Sequence, residues 1–349
     1  MSFEKDIKIL VVGNGNYDFY DIALYNALCQ LNYNAELFTT RNIIGPQKDK
    51  IVTNFIKRVQ SRLNCGTYLK SANRALIQRC KISAPDIIFF YNTRIYDHKT
   101  IDRIKQMGIK IIAFSNDDPF SKKYPNYWWK KFLYIAKNAD LVYAYRQVNL
   151  DEYKAMGCKK AELLLPYYIE ENNHKISQDE KLDNVPDVVY IGHVENDGRA
   201  EYINALLRAG IKVGIKADTA AAYEQNGNLI PLKDTFKNYN AIIASAKIAL
   251  VFLSTKNRDK YTRRCFEIPA TGTMMLSIYT EKLAEFFEPD KQAVYFKNPQ
   301  ELVEKCKACL ENEALRAKIA QAGYDRLIKD GHEIKDRAEQ IMKDCKKLF

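Results

Sequence analysis

Apolar residues along this chain come in short continuous runs separated by longer stretches with helical spacing. IKILVVG is the first such run, ending at Gly13-Asn14-Gly15. DFYDIALYNALCQLNY follows with apolar positions three and four apart, and AELFTT reads as a second strand. PDIIFFYN, a helix through HKTIDRIKQMG, IKIIAFS, ADLVYAY and AELLLPYYI continue the alternation. Unbroken β-branched and aromatic runs, each separated by a helix, predict a parallel sheet covered on both faces.

Residues 170–187, EENNHKISQDEKLDNVPD, are polar throughout and predict a linker. The alternation then restarts with DVVYIGHV, a helix through AEYINALLRAG, IKVGIKA, a helix near 234–246, KIALVFLS, a short helix holding Glu267, TMMLSIY and QAVYFKN. From Pro299 onward the pattern is nearly all helical. The simplest organisation is two doubly wound Rossmann-like α/β domains, at 1–169 and 188–332, joined by the linker 170–187. The segment 333–349 has apolar positions too sparse for a domain, and is expected to pack as a helix on the N-terminal domain.

The length of 349 residues suits two domains, and the mix of 47% hydrophobic and 28% charged residues belongs to a globular protein. No run of eighteen apolar residues occurs, and the N-terminus reads as a first strand with no signal peptide legible, so a cytoplasmic chain is expected. Eight scattered cysteines form no disulfide framework. Cys306 and Cys309 have CxxC spacing, but they lie in a helical pattern with no second pair, and read as helix positions.

The net charge of +11 is unevenly spread: residues 1–170 carry 26 Lys and Arg against 16 Asp and Glu. Nine basic residues and only one acid, Asp49, fall in 47–85. This segment reads either as a solvated helical excursion or as a patch for an anionic membrane surface. No nucleic-acid-binding module is visible.

Ligands of open α/β sheets collect beyond the carboxyl ends of the strands. In the first half this selects Gly13, Asn14 and Gly15, then Asn92-Thr93-Arg94, then Asp117-Asp118-Pro119. Gly13-x-Gly15 lacks the third glycine of a dinucleotide fingerprint. Asp117 and Asp118 are candidates to accept a proton from a hydroxyl or to bind it, against the plainer reading that one of them caps a turn. The aromatics Tyr124, Tyr127, Trp128 and Trp129 suit core packing or a sugar-stacking wall. In the second half the same rule selects Gly192, His193, Lys216 and the stretch from Ser254 to Arg264.

YTRRCFEIPATGTMMLS, residues 261–277, is the most informative stretch. Arg263 and Arg264 open a short helix, and Glu267 sits one turn in. Cations at a helix head suit phosphate, and a carboxylate there can accept from two vicinal ribose hydroxyls. The plainer alternative is a salt-bridged helix start.

RCFEIPATGTMMLS, EFFEPDKQAVYF, PQELVEKCKACLEN and ALRAKIAQAGYDRLIKDGHEIKDRAEQI together resemble the GT-B-fold glycosyltransferases, and within them the CgeB-like (spore maturation protein-like) group. Arg264, Phe266, Glu267, Gly272, Ala322-Gly323 and His332 carry the resemblance, with YIGHVENDGR and Asp117–Pro119 adding to it. It implies a GT-B fold, two Rossmann-like domains facing a central cleft. It also implies a nucleoside-diphosphate-sugar donor held by the second domain, and a glycan, lipid-linked or protein acceptor held mainly by the first. Glu267 matches the later glutamate of the Glu-x7-Glu pattern of many retaining relatives, and this partial match favours a retaining course over inversion; the earlier position falls on Asp259, whose shorter side chain departs from the pattern. Gly192, His193, Arg199, Lys216, Arg263, Arg264 and Gly272 are the further donor-site candidates, and Asp117 or Asp118 the base if the reaction inverts. No Asp-x-Asp occurs, and neither metal nor cofactor is expected. A nucleotide-sugar epimerase or a non-catalytic sugar-nucleotide-binding protein would use the same fold.

Overall fold

The run Ile9–Gly13 forms β1, buried at all five positions, and sits inside a parallel sheet because both of its faces are apolar. The computed structural model describes residues 7–46 and 50–349. Lys48 and Asp49, part of the basic segment, lie outside the described residues. The chain divides into two compact units, one of residues up to Leu165 together with Ile334–Phe349, the other Pro166–Glu333.

In the first unit β1 is followed by α1 (Asp21–Gln30), β2 (Ala35–Thr39), α2 (Arg41–Ile44), α3 (Ile51–Leu63) and α4 (Thr67–Ser83). Then come β3 (Ile87–Tyr91), α5 (His98–Gln106), β4 (Lys110–Ser115), α6 (Lys130–Asn138), β5 (Leu141–Ala144), α7 (Gln147–Ala155) and β6 (Ala161–Leu163). The sheet order is β2-β1-β3-β4-β5-β6, all parallel. One face packs Leu10, Val12, Ile88 and Phe90 against Leu76, Ile101, Ile104 and Phe132 from the helices.

The second unit runs through β7 (Val188–Tyr190), α8 (Arg199–Arg208), β8 (Val213–Lys216), β9 (Leu229–Leu232), α9 (Tyr239–Ser245) and β10 (Ile248–Val251). It continues with α10 (Arg264–Ala270), β11 (Met274–Ile278), α11 (Glu281–Phe286), β12 (Val294–Phe296), α12 (Pro299–Glu311) and α13 (Glu313–Asp330). Its sheet order is β12-β11-β10-β7-β8-β9. Residues 170–187, expected as a linker, belong to this unit, and Asn173 within them is buried. Strand β9 escapes sequence reading because Pro231 interrupts it; proline survives there because β9 is the edge strand.

Helix α14 (Ile334–Lys346) returns to the first unit and packs on α1. Its sparse apolar positions Ala338, Ile341, Met342 and Cys345 are all buried. Two hydrogen bonds fix it: the Tyr143 hydroxyl donates to Asp344 at 2.9 Å and the Gln340 amide donates to the Leu163 carbonyl at 2.9 Å. Cys306 and Cys309 point into the second core, where burial pushes the Cys306 thiol up to about 12, so it stays protonated near neutral pH.

Candidate functional site

Each sheet reverses its strand order once, between β1 and β3 in the first unit and between β7 and β10 in the second. At such switch points the loops leaving neighbouring strands diverge and open a crevice.

In the first unit Gly13 leaves β1 directly over the carboxyl group of Asp21. A Cβ on Gly13 would stand 2.2 Å from the Asp21 side chain, so only glycine fits. The Gly15 N–H donates to Asp21 at 2.9 Å, and Gly15 takes φ +66°, while the Asn14 side chain accepts from the Asn16 N–H at 2.8 Å. Asp21 is almost fully buried, and that burial raises its pKa above the ordinary 3.8 although the Gly15 N–H opposes it.

On the other side of the switch, Asn92 sits in the left-handed region at φ +48° and its N–H donates to the Phe114 carbonyl at 2.7 Å. The Ser115 hydroxyl lies 3.0 Å from both Asn92 Oδ1 and the Asp117 carbonyl. The adjacent carboxylates divide their work. Asp118 is wholly buried and accepts from the Phe120 N–H at 3.0 Å and the Asn149 amide at 2.8 Å, which closes the turn. Asp117 is half-buried, 3.4 Å from the Asn92 amide and close enough to Arg94 to favour its charge. The Arg94 guanidinium lies 3.8 Å from the centre of the Trp128 ring, and its burial pulls its pKa below the ordinary value. Arg146, also buried, donates to the Asn116 carbonyl at 2.9 Å. Trp129 belongs to the core, whereas Tyr127 is exposed.

In the second unit β7 delivers Tyr190, then Ile191, Gly192 and His193. A Cβ on Gly192 would meet the Tyr190 hydroxyl at 2.3 Å. Arg199 holds this turn from below. It is 4% exposed, and every nitrogen of its guanidinium meets a protein acceptor. Asp197 takes Nε at 2.8 Å and pairs with Nη2; the Tyr190 hydroxyl and the His193 carbonyl take Nη1, each at 2.9 Å; the Leu253 carbonyl lies 3.4 Å from Nη2. Burial works against this cation, but Asp197, Tyr190 and Glu195 outweigh it and hold its pKa above the ordinary value. Arg199 is therefore a positioning residue for the β7 and β10 loops.

Arg264, the first residue of α10, donates from Nε to the Ile191 carbonyl at 2.6 Å. Together with Lys216 at the end of β8 it lies close enough to His193 to depress the histidine pKa, adding to the larger effect of lost water, so the ring is neutral at pH 7. Lys216 also pairs with Asp218 at 2.7 Å. Glu267 is 5% exposed; one oxygen pairs with Arg263 and the other accepts from the Tyr239 hydroxyl at 3.1 Å. The helix start is thus salt-bridged, and the bridge fixes the carboxylate's orientation. Asp259 lies in the loop between β10 and α10, its N–H donating to the Ser254 carbonyl at 3.0 Å.

Gly272 stands apart from this group. It follows the last turn of α10 at φ +74° and leads into the amino end of β11, where its Cα faces Lys175. Phe266 points inward as well, its ring 4.6 Å from His332. These two signature positions secure α10, while Gly192, His193, Lys216 and Arg264 gather at the carboxyl ends of the strands. Asp21, Tyr190, Asp197 and Tyr239 carry no signal in the sequence and are brought in by packing, whereas Arg94 was selected by its place at a strand end. Among the described residues no three His, Cys, Asp or Glu side chains gather as a metal site.

Residues 212–343 match the model of a family described as glycosyl transferase-like. The matched segment holds Lys216, Asp259, Arg263, Arg264, Glu267 and Gly272, and leaves out Gly192, His193 and Arg199. Among solved structures the chain is similar to HepE from Anabaena in complex with UDP and glucose, at 13% identity and TM-score 0.66, covering 98% of this chain and 100% of that one. It is similar to sucrose-phosphate synthase from Thermosynechococcus elongatus at 12% identity and TM-score 0.70, covering 98% and 99%. A glycosyltransferase from Rickettsia africae gives 11% identity and TM-score 0.68, with coverage of 98% and 99%. No curated protein matches the chain by sequence. The two six-stranded parallel sheets with flanking helices are a GT-B fold.

Proposed function

We propose that this protein is a glycosyltransferase of the CgeB-like group, moving a sugar from a nucleoside-diphosphate sugar held by the second unit to an acceptor held by the first. The observation that carries the reading is the cluster of Arg264, Lys216 and His193 around the Gly192 turn. A glycine turn lets backbone approach a diphosphate, and fixed cations beside it stabilise the charge that develops as the nucleotide departs. Arg264 is braced by the Ile191 carbonyl, so it needs little reorganisation. His193, being neutral, contributes a hydrogen bond rather than a charge. Glu267 takes the ribose hydroxyls: Arg263 and Tyr239 occupy one site on each carboxylate oxygen, and each oxygen has a second. Asp259 faces the donor sugar.

The retaining course needs no dedicated base. If the configuration inverts, Asp117 is the base for the acceptor hydroxyl, since Asp118 is committed to its turn. No metal enters the scheme, and activity is expected to survive a chelator. The acceptor is a glycan, a lipid-linked saccharide or a protein; an acceptor presented at an anionic membrane suits the basic stretch of the first unit.

The test is a thermal-shift series with UDP, GDP, TDP and CMP, followed by nucleotide release from the matching sugar donor. UDP comes first because it accompanies HepE. One nucleotide is expected to raise the melting temperature. Arg264→Ala should lower kcat/KM by roughly 10²–10³, the usual loss on removing one preorganised donor to a developing anion. Binding without turnover would make the protein a sugar-nucleotide binder, and interconversion of the donor without an acceptor would make it an epimerase.

A further inference from the structure

Helix α3 is built inside out. Its inner face is polar: Lys57 is 2% exposed, its ammonium donates to the Gly45 carbonyl at 3.1 Å and lies 5.2 Å from the Tyr68 ring, and Gln60 accepts from the Tyr68 N–H at 3.0 Å. Its outer face is apolar, with Ile51 84%, Val52 72%, Phe55 66%, Ile56 42%, Val59 38% and Leu63 55% exposed. Ile51, Phe55, Val59 and Leu63 recur every four residues, so the stripe is continuous along the helix. A monomer in water does not turn such a stripe outward without something to cover it.

Charge identifies the cover. Exposed Arg58 and Arg62 run along one edge of the stripe, Lys50 precedes it, and exposed Lys70, Arg74 and Lys81 follow on α4. From residue 50 to residue 85 the chain has no acidic residue. A second copy of the chain would set these cations against their own like charges. Anionic headgroups would neutralise them while the stripe enters the acyl boundary, and the arginine stems would reach back to the headgroups. We propose that the outer face of α3 docks this protein on an anionic phospholipid surface. No helix among the described residues is long and apolar enough to cross a membrane, so the attachment would be peripheral.

The experiment is co-sedimentation of the full chain with vesicles of phosphatidylcholine alone and of equal parts phosphatidylcholine and phosphatidylglycerol. The chain is expected to partition onto the mixed vesicles and to bind the neutral ones about tenfold or more weakly, with the difference shrinking as salt is added. Phe55→Ser with Ile56→Ser should lower partitioning by about tenfold or more at an unchanged melting temperature. Arg58→Glu with Arg62→Glu, which leaves the stripe intact, should do the same through charge. Failure of the chain to bind mixed vesicles at low salt, or binding by either variant as strong as that of the unmodified chain, overturns the proposal. So does light scattering that shows a dimer dissolved by Phe55→Ser/Ile56→Ser without vesicle binding. The readout is partition, not turnover, so its failure leaves the glycosyltransferase reading untouched.

Discussion

Two amphipathic helices of the first unit obey the same periodicity and turn opposite faces to the protein. Helix α5 sends Ile101 and Ile104 into the core at 0% exposure, with Asp97 capping its first turn by accepting from the Thr100 N–H at 2.9 Å. Helix α3, with an apolar stripe of its own, buries Lys57 instead and leaves Phe55 in water. The difference lies in what each can reach. α5 is the crossover from β3 to β4 and lies against the sheet, which offers apolar surface. α3 is an excursion before α4, and what it meets on its inner side is the Gly45 carbonyl and the Tyr68 backbone and ring. Amphipathicity says that a helix has two faces; the neighbouring surface says which one is turned inward.

The largest effect should come from the face that obeys the usual rule. Ile101→Ala removes a fully buried side chain and is expected to cost about 2–5 kcal/mol, read from urea unfolding at constant slope. A loss under about 0.5 kcal/mol, the level of an ordinary surface change, would mean that α5 is not anchored as described. Lys57→Ala should come next, at about 1–3 kcal/mol, because it removes a buried side chain and leaves the part-buried Gly45 carbonyl without its donor. If it proves neutral, the polar inner face of α3 contributes nothing and the comparison breaks.

Asp21, on the inner face of α1, extends the comparison to a buried acid, and its sign can be read against pH. Burial raises its folded pKa above the ordinary 3.8, so the unfolded chain ionises first as pH rises and stability falls through that window. Acidification toward 3.8 returns that stability. Asp21→Asn keeps an acceptor for the Gly15 N–H and removes the titration. The melting temperature of the wild type relative to the variant should therefore rise as pH falls, and a flat difference would show Asp21 to be unperturbed. The smallest effect on folding is expected at the outer face: Phe55→Ser should change stability by no more than about 0.5 kcal/mol, measured by the same urea titration.

The alternation of apolar runs and helices was enough to read two parallel α/β units, since a strand buried on both faces must be written as an unbroken apolar run. It was also enough to locate the strand ends where Gly13, Asn92, Asp117, Gly192, Lys216 and the segment before Glu267 emerge. The resemblance of the second half to GT-B enzymes rested on Arg264, Phe266, Glu267 and Gly272, which lie within nine residues and are legible together, and on Ala322-Gly323 and His332 in the helical tail. β9 was missed because a proline at a sheet edge looks, in sequence, like a loop.

What tertiary structure alone decided is how these side chains are used. Arg199 and Arg264 are both arginines near strand ends, yet one is enclosed by Asp197, Tyr190 and backbone carbonyls while the other opens α10 beside His193. Asp117 and Asp118 are neighbours in the turn that follows β4, and that turn buries only the second. Tyr239 reaches Glu267 from 28 residues away, a pairing that no local pattern encodes. Periodicity and turn chemistry act over a few residues, and so the sequence itself determines elements, their ends and their order. Burial and partnership are set by surfaces that meet only after folding, which is why the inward lysine of α3 and its outward phenylalanine could be known only from the folded chain.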